Sequence, residues 1–166
     1  SLVAENQFLN GEYKKSKKTL KNFKKEDNFY YWYRIKKEAQ ILAKEKNKKE
    51  SLKYIKSKFE QFDYPNNKLI FDIANFYKNS KEYKEAIKYY TEIIDNIDDE
   101  NAIKSDLLYR RGGSYERIGE YENADKDLLH SLKLNSEDAY VLNYLAYSWL
   151  ERNYKINKAI EMLETA

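Results

Sequence analysis

The chain has 166 residues, 36% of them charged, with 31 Lys+Arg against 28 Asp+Glu, one Pro, four Gly and no Cys. Without cysteine there is no disulfide framework and no thiolate metal site, and so few chain breakers argue against a fold of many short strands. No run approaches the roughly 18 apolar residues that a membrane-spanning helix needs.

Aromatic residues, 17 of them Tyr, supply the apolar bulk that a mean hydropathy of −0.96 hides. The net charge of +3 is unevenly spread. Residues 1–66 carry 17 Lys+Arg against 9 Asp+Glu, a net +8, and residues 67–166 carry 14 against 19, a net −5. A basic half can attract nucleic acid or an anionic surface; a solvated helical surface is the better account of a set that holds 26 Lys and only 5 Arg. No signal-peptide pattern opens the chain. Ser1 and Ala166 both fall inside repeats, so the chain reads as a piece of a longer protein, and its compartment stays open.

Two series of small residues run along the chain in step. Ala4, Ala39, Ala74, Gly112 and Ala146 are each followed 12 or 13 residues later by Ser16, Ser51, Ala86, Ala124 and Ala159. Spacings in the second series are 35, 35, 38 and 35. A period near 35 with two small positions predicts two helices per repeat, touching where side chains are small. The predicted repeats are 1–30 (partial), 31–66, 67–104, 105–138 and 139–166 (partial), forming one all-α domain over 1–166. The predicted helices are 1–9, 12–26, 30–45, 48–62, 67–79, 82–96, 102–118, 121–134, 138–151 and 155–165. The spacing of 38 implies four extra residues around Asp98–Ser105, about one helical turn, and predicts a longer first helix in the fourth repeat.

In chain order, the first repeat has Val3, Ala4, Gly11, Tyr13, Ser16 and Leu20, with a short first helix. The second opens on the densest aromatic stretch, Phe29–Tyr33, expected to pack mostly into the core. It places Glu38 where Ile73 and Leu145 stand elsewhere, Lys48 where an aromatic is usual, and Pro65 after its second helix. The third has Ile70, Ala74, Tyr77, Tyr83, Ala86, Tyr90 and Ile94. In the fourth, Leu108, Gly112 and Tyr115 lie at i, i+4 and i+7, and Tyr121, Ala124, Leu128 and Leu132 form a second stripe. Gly119 between them suits a turn. Gly112 has a packing reason; Gly113, on the opposite face, has either drifted or lets a ligand backbone approach. The fifth repeat begins Leu142, Leu145, Ala146 and Trp149.

A large residue, then Gly or Ala, then Tyr, Gly-x-Tyr, Ala and Leu, as in "LLYRRGGSYERIGEYENADKDLLHSLKLNSED", resembles the tetratricopeptide repeat. The period carries this resemblance over the whole chain, and the motif over residues 67–166. The usual Pro near the end of the repeat is absent; Asp98 and Ser136 stand there. The stretch "VLNYLAYSWLERNYKINKAIEMLETA" resembles closing repeats of bacterial tetratricopeptide proteins, several of them associated with the cell envelope. The resemblance implies a right-handed α-solenoid of stacked antiparallel helix pairs.

In that family the first helix of each repeat lines a concave groove. Carried over, the groove positions imply Tyr33, Lys36 and Gln40 in the second repeat, and Phe71, Asn75 and Lys78 in the third. The fourth gives Tyr109, Arg110, Gly113, Glu116 and Arg117, and the fifth Tyr140, Asn143, Tyr144 and Tyr147. Rings, amides and a few cations suit an extended peptide or a partner helix. A carboxylate clamp known in the family matches poorly: Lys36, Gln40, Asp72, Asp106 and Arg110 stand at its positions, and two aspartates would repel a carboxylate.

No Gly-rich phosphate loop, Ser-His-Asp set or metal motif appears. His130, the only histidine, reads as solvated. Glu82 with Lys78, and Glu122 with Lys126, read as surface ion pairs. The expected function is therefore a non-enzymatic interaction scaffold with no cofactor and no metal, binding a protein or peptide partner in its groove. Nucleic acid is disfavoured, although an RNA-binding repeat array is kept as an alternative, as is the non-catalytic arm of a larger enzyme. Apolar surface near Leu145, Trp149, Ile160 and Leu163 is expected to be exposed and to favour self-association.

Overall fold

Backbones approach most closely where side chains are smallest, and this chain places its smallest residues on facing helices. A computed structural model describes residues 1–25 and 28–166. Ten α-helices and no strand occur among the described residues: α1 (Leu2–Leu9), α2 (Tyr13–Leu20), α3 (Asn28–Glu45), α4 (Lys48–Phe59), α5 (Asn67–Asn79), α6 (Tyr83–Asp95), α7 (Ala102–Arg117), α8 (Tyr121–Leu134), α9 (Ala139–Glu151) and α10 (Ile156–Thr165). They divide into two units, Ser1–Leu69 and Ile70–Ala166.

In the first unit α1 packs on α2 and α3 on α4. Ala4, Ser16, Ala39 and Ser51 are almost wholly buried. The Ser16 hydroxyl donates to the Ala4 carbonyl at 2.9 Å, and Ser51 donates to Ala39 at 2.6 Å. The recurring spacing of 12 thus has a bond as well as a fit behind it: a short side chain on the second helix reaches a main-chain carbonyl of the first. Glu38, unexpected at an apolar position, accepts from Arg34 at 2.6 Å and from the Tyr54 hydroxyl. Burial, and then Glu38, push that phenol above its usual range.

Two helices of this unit end earlier than predicted, each because an aromatic residue leaves the helical path. Instead of running to residue 26, α2 stops at Leu20, and Phe23 turns back to stack on Tyr30 with ring centroids 5.5 Å apart. Residue 26 itself lies outside the described residues. Instead of running to residue 62, α4 stops at Phe59, and Phe62 meets Trp32 edge-on at 5.7 Å. The aromatic run is less buried than expected. Only Trp32 enters the core, Tyr31 and Tyr33 are half-buried, and Phe29 and Tyr30 are exposed. Five consecutive residues wrap around the helix, so one face cannot hold them all.

The second unit repeats the hairpin with larger residues around the small ones. Across α5 and α6, Tyr77 stacks on Tyr89 at 5.8 Å. Against α7, α8 packs so tightly that a Cβ on Gly112 would lie 3.0 Å from Leu128 Cγ and 3.1 Å from Asp127 Cβ. As predicted, α7 with 16 residues is longer than α5 and α9, with 13 each, although α3 is longer still, with 18. A buried polar bond reinforces the three-helix contact. Arg111 donates to both oxygens of the buried Asp127 at 2.7 and 2.8 Å and to Thr91 at 3.1 Å, joining α6, α7 and α8. Leu145 and Trp149 are buried with Ala146, Ala159 and Met162. The expected exposed apolar end is therefore smaller than predicted: α10 covers these two side chains, and Ile160 is the exposed one.

In four of the five hairpins, all but α3–α4, the closing turn holds a left-handed residue. Gly11 and Gly119, seven residues after Ala4 and Gly112, have φ of 76° and 78°. The equivalent place in the third repeat holds Lys81 at φ 61°, and in the fifth Asn153 at φ 52°. Glycine and asparagine accept this region readily, whereas a lysine there is strained.

Two stability changes follow. Gly112→Leu should overpack the α7–α8 contact and destabilise by about 1–3 kcal/mol. Lys81→Gly should relieve the turn and raise the melting temperature, corresponding to roughly 1 kcal/mol. Thermal unfolding by circular dichroism reads both; a Gly112→Leu variant as stable as the parent would show that the helices do not meet there.

Candidate functional site

Three first helices of the second unit, α5, α7 and α9, present the faces opposite their core stripes. On α7, Leu108 and Gly112 point into the core, which leaves Tyr109, Gly113 and Arg117 on an accessible face at i, i+4 and i+8. Lys78 and Asn79 from the end of α5, Lys81 and Tyr83 from the turn into α6, and Tyr144 from α9 join Tyr109, Arg110, Gly113 and Arg117 around a cleft of about 290 Å³. A second cleft of about 190 Å³ lies alongside, lined by Glu116, Arg117, Tyr144, Tyr147, Ser148 and Glu151. Arg117 and Tyr144 border both.

Arg110 is held from several sides. Its Nε donates to Asp106 at 2.8 Å, its Nη1 donates to Asn75 Oδ1 at 3.2 Å, and its guanidinium lies 5.2 Å from the Phe71 ring. Asn75 Oδ1 also accepts from the Tyr90 hydroxyl. Burial pushes Tyr90 ionisation up to about 12, against the pull of Arg110. Phe71 and Asn75 thus anchor Arg110 instead of standing free for a ligand. Asp106, which argued against a carboxylate clamp, occupies Arg110 directly.

Tyr144 is half-buried, with its ring edge-on to Tyr109 at 5.9 Å. Its hydroxyl lies 3.0 Å from Glu116 Oε2 and 3.2 Å from the Gly113 carbonyl. Burial, and then Glu116, raise its phenol above the ordinary range, with Arg117 opposing. Gly113 therefore faces the Tyr144 ring, which a Cβ would meet at an ordinary 3.6 Å. Gly113 lines the first cleft with the Tyr144 side chain of α9 beside it. Tyr147 is 59% exposed, and Tyr140 and Asn143 are exposed outside both clefts.

Lys78 is half-buried. Burial first, and then the Arg110 and Arg117 guanidinia, lower its ionisation from the usual lysine range, with Asp106 opposing. The expected surface pair with Glu82 is replaced by this position in the cleft. On α3 of the first unit, Tyr33 is spent internally: its hydroxyl lies 3.4 Å from the Ser1 carbonyl and from Glu5, and its ring meets Phe23. Lys36 is half-buried, as is Gln40, whose Oε1 has no hydrogen-bond partner among the described residues. His130 faces Glu100 at 2.8 Å. Among the described residues no group of His, Asp and Glu is arranged to hold a metal ion.

The groove positions found by resemblance lie only on first helices, so Asn79, Lys81 and Tyr83 were missed. The residue seven places after Ala74 was the available signal: where Gly11 and Gly119 stand in the first and fourth repeats, a lysine stands here, as Lys46 does in the second.

The family model described as tetratricopeptide repeat matches residues 68–97 and 105–138. No curated protein matches the sequence. Among solved structures, a double mutant of MamA RS-1 is similar with a TM-score of 0.69 at 11% identity, covering 98% of this chain and 88% of that one. A crystal structure of MamA is similar with a TM-score of 0.63 at 13% identity, covering 98% of this chain and 91% of that one. At such identities the likeness speaks for the fold, and it agrees with the two matched repeats. The hairpins α5–α6 and α7–α8 are thus the two segments that match the tetratricopeptide repeat, within a helical fold similar to that of MamA.

Proposed function

We propose that this chain is a non-enzymatic interaction scaffold that binds a peptide or protein segment along α5, α7 and α9. The carrying observation is that side chains from three first helices line one cleft, which combines tyrosine rings with cations. Tyrosine offers large area and a polar tip at low entropy cost, which suits a contact that opens and closes. The rigid part of the contact is supplied by Arg110 and Tyr144, which are fixed by Asp106, Asn75 and Glu116. The adaptable part is Tyr147, which is exposed beside the second cleft.

This division refines which tyrosine tests the reading. Tyr144 bridges α7 and α9, so its removal disturbs the fold together with the surface. Tyr147→Ala should leave the melting temperature within about 1 °C, as expected of a surface change, and weaken a partner captured from the source organism by about 1 kcal/mol or more. Titration calorimetry with that partner is the measurement. If Tyr147→Ala and Tyr109→Ala both bind it as the parent does, while lysine changes in residues 1–66 abolish binding, the basic half is the contact surface. In that case a single-stranded RNA gel shift, repeated across salt, decides whether the ligand is nucleic acid.

A further inference from the structure

Residues 67–166 carry a net −5, yet four of their 14 basic side chains converge on one cleft. Lys78, Lys81, Arg110 and Arg117 all line it, and no carboxylate is among its lining residues. Two carboxylates on α7 already have partners in the cleft wall: Asp106 binds Arg110, and Glu116 lies against the Tyr144 hydroxyl. Neither Lys78 nor Lys81 forms an ion pair among the described residues.

Helix ends explain part of this pattern. Lys78 and Arg117 lie in the last turns of α5 and α7, where a cation meets the partial negative charge of the helix C-terminus. That accounts for one cation on each helix. It does not account for their pointing into a common space, nor for Lys78 being half-buried against two guanidinia that disfavour its charge. Lys81 adds an independent cost. It occupies a left-handed turn position at φ 61° where the first, fourth and fifth repeats have glycine or asparagine, and it lines the same cleft. Strain and like-charge repulsion gathered at one concave place are the marks of a site that is relaxed by its ligand.

We propose that this cleft is an anion site for the bound peptide, in which a peptide carboxylate enters between Lys78, Lys81 and Arg117. The assignment rests on peptide binding along the first helices and adds the chemistry of the ligand: an acidic segment, with its carboxylate near the hairpin turn and its remaining surface against Tyr109 and Tyr144. Arg110, fixed by Asp106, contributes field more than direct contact. A carboxylate placed there meets three donors on three different elements, the end of α5, the α5–α6 turn and the end of α7. The acidic remainder of this half repels the same peptide elsewhere, so binding should be local.

The test uses fluorescein-labelled hexapeptides and fluorescence anisotropy. The probes are acetylated, amidated hexaglutamate; acetylated, amidated hexaglutamine; acetylated hexaglutamine with a free C-terminus; and an acetylated, amidated hexapeptide with phosphoserine in place of one glutamate. The parent chain should bind hexaglutamate at least tenfold tighter than amidated hexaglutamine, with affinity falling as salt rises. The free-terminus probe tells whether the cleft prefers a chain end to a side chain. Lys78→Met and Lys81→Gly, alone and together, should weaken the carboxylate probe tenfold or more while the melting temperature holds or rises, a combination that a purely structural role does not produce. Lys126→Met, an exposed change on α8, should bind like the parent.

The proposal is overturned if neither carboxylate probe binds, if the cleft variants bind as the parent does, if Lys126→Met loses as much as they do, or if the phosphoserine probe binds more tightly than hexaglutamate. The captured partner separates this from the wider reading. Loss of that partner in Tyr147→Ala but not in the Lys78→Met, Lys81→Gly double variant leaves the scaffold reading standing and rejects the anion site. Indifference to Tyr147→Ala and Tyr109→Ala rejects the groove, and the hexaglutamate titration then decides the cleft by itself.

Discussion

Everything in this chain depends on how closely the two helices of a hairpin can approach. A methyl group is already tight: a Cβ on Gly112 would come within 3.0 Å of Leu128. Where the facing residue is serine, the gap is closed by a hydrogen bond to a main-chain carbonyl, as Ser16 and Ser51 show. Where it is alanine, packing alone does the work, and larger partners surround it, with Tyr90, Leu128 and Trp149 among the most buried side chains. Close approach also decides which face is left over. Once Leu108 and Gly112 are committed inward, helical periodicity sends Tyr109, Gly113 and Arg117 outward together. The accessible surface is thus set by the core, and the site inherits its register.

The leftover face is only partly available. Phe71 and Asn75 brace Arg110, Glu116 engages Tyr144, and Tyr144 lies beside Gly113. These contacts join neighbouring first helices and hold the cleft walls in place without a ligand. A preformed wall loses less freedom on binding than a mobile one. The features that do not stabilise the chain lie at the edge of the same cleft: Lys78, disfavoured in its charged state, and Lys81, in a turn suited to glycine. Such placement separates the residues that build the surface from those that cost stability in order to use it.

The hairpin architecture was legible because its cause is periodic. Ala74 with Ala86, and Gly112 with Ala124, announce two touching helices, and the extra residues before Ser105 correctly implied a longer α7. Helix ends were less legible, since Phe23 and Phe62 end α2 and α4 by packing on rings distant in sequence. The aromatic run misled for a related reason: composition reports five rings but not which of them, Trp32 alone, is fully buried. At the candidate site, resemblance selected Tyr109, Arg110, Gly113, Arg117, Tyr144 and Lys78, and these do share a cleft. It could not show that Asn75 and Phe71 were already engaged, because those contacts join residues a full repeat apart. It also passed over Lys81, since a turn residue matters here only through its φ and its reach.

The size of the two clefts bears on the proposed peptide. Arg117 lies eight residues after Tyr109 on α7, about 12 Å of helix rise. An extended peptide covers that distance in about four residues. Arg117 and Tyr144 border both clefts, so a segment of that length lying along α7 passes over them from the cationic side to Tyr147. On the first side charge attracts, with Lys78 and Lys81 close by; on the second, Glu116 and Glu151 line the space and would repel a further carboxylate. A uniformly acidic segment is therefore attracted over the first cleft only. The better match carries its negative charge at one end and an apolar or aromatic side chain a few residues away. For the proposed peptide the two clefts imply an orientation as well as a composition, because reversing such a segment would place its carboxylate against Glu116 and Glu151, away from Lys78 and Lys81.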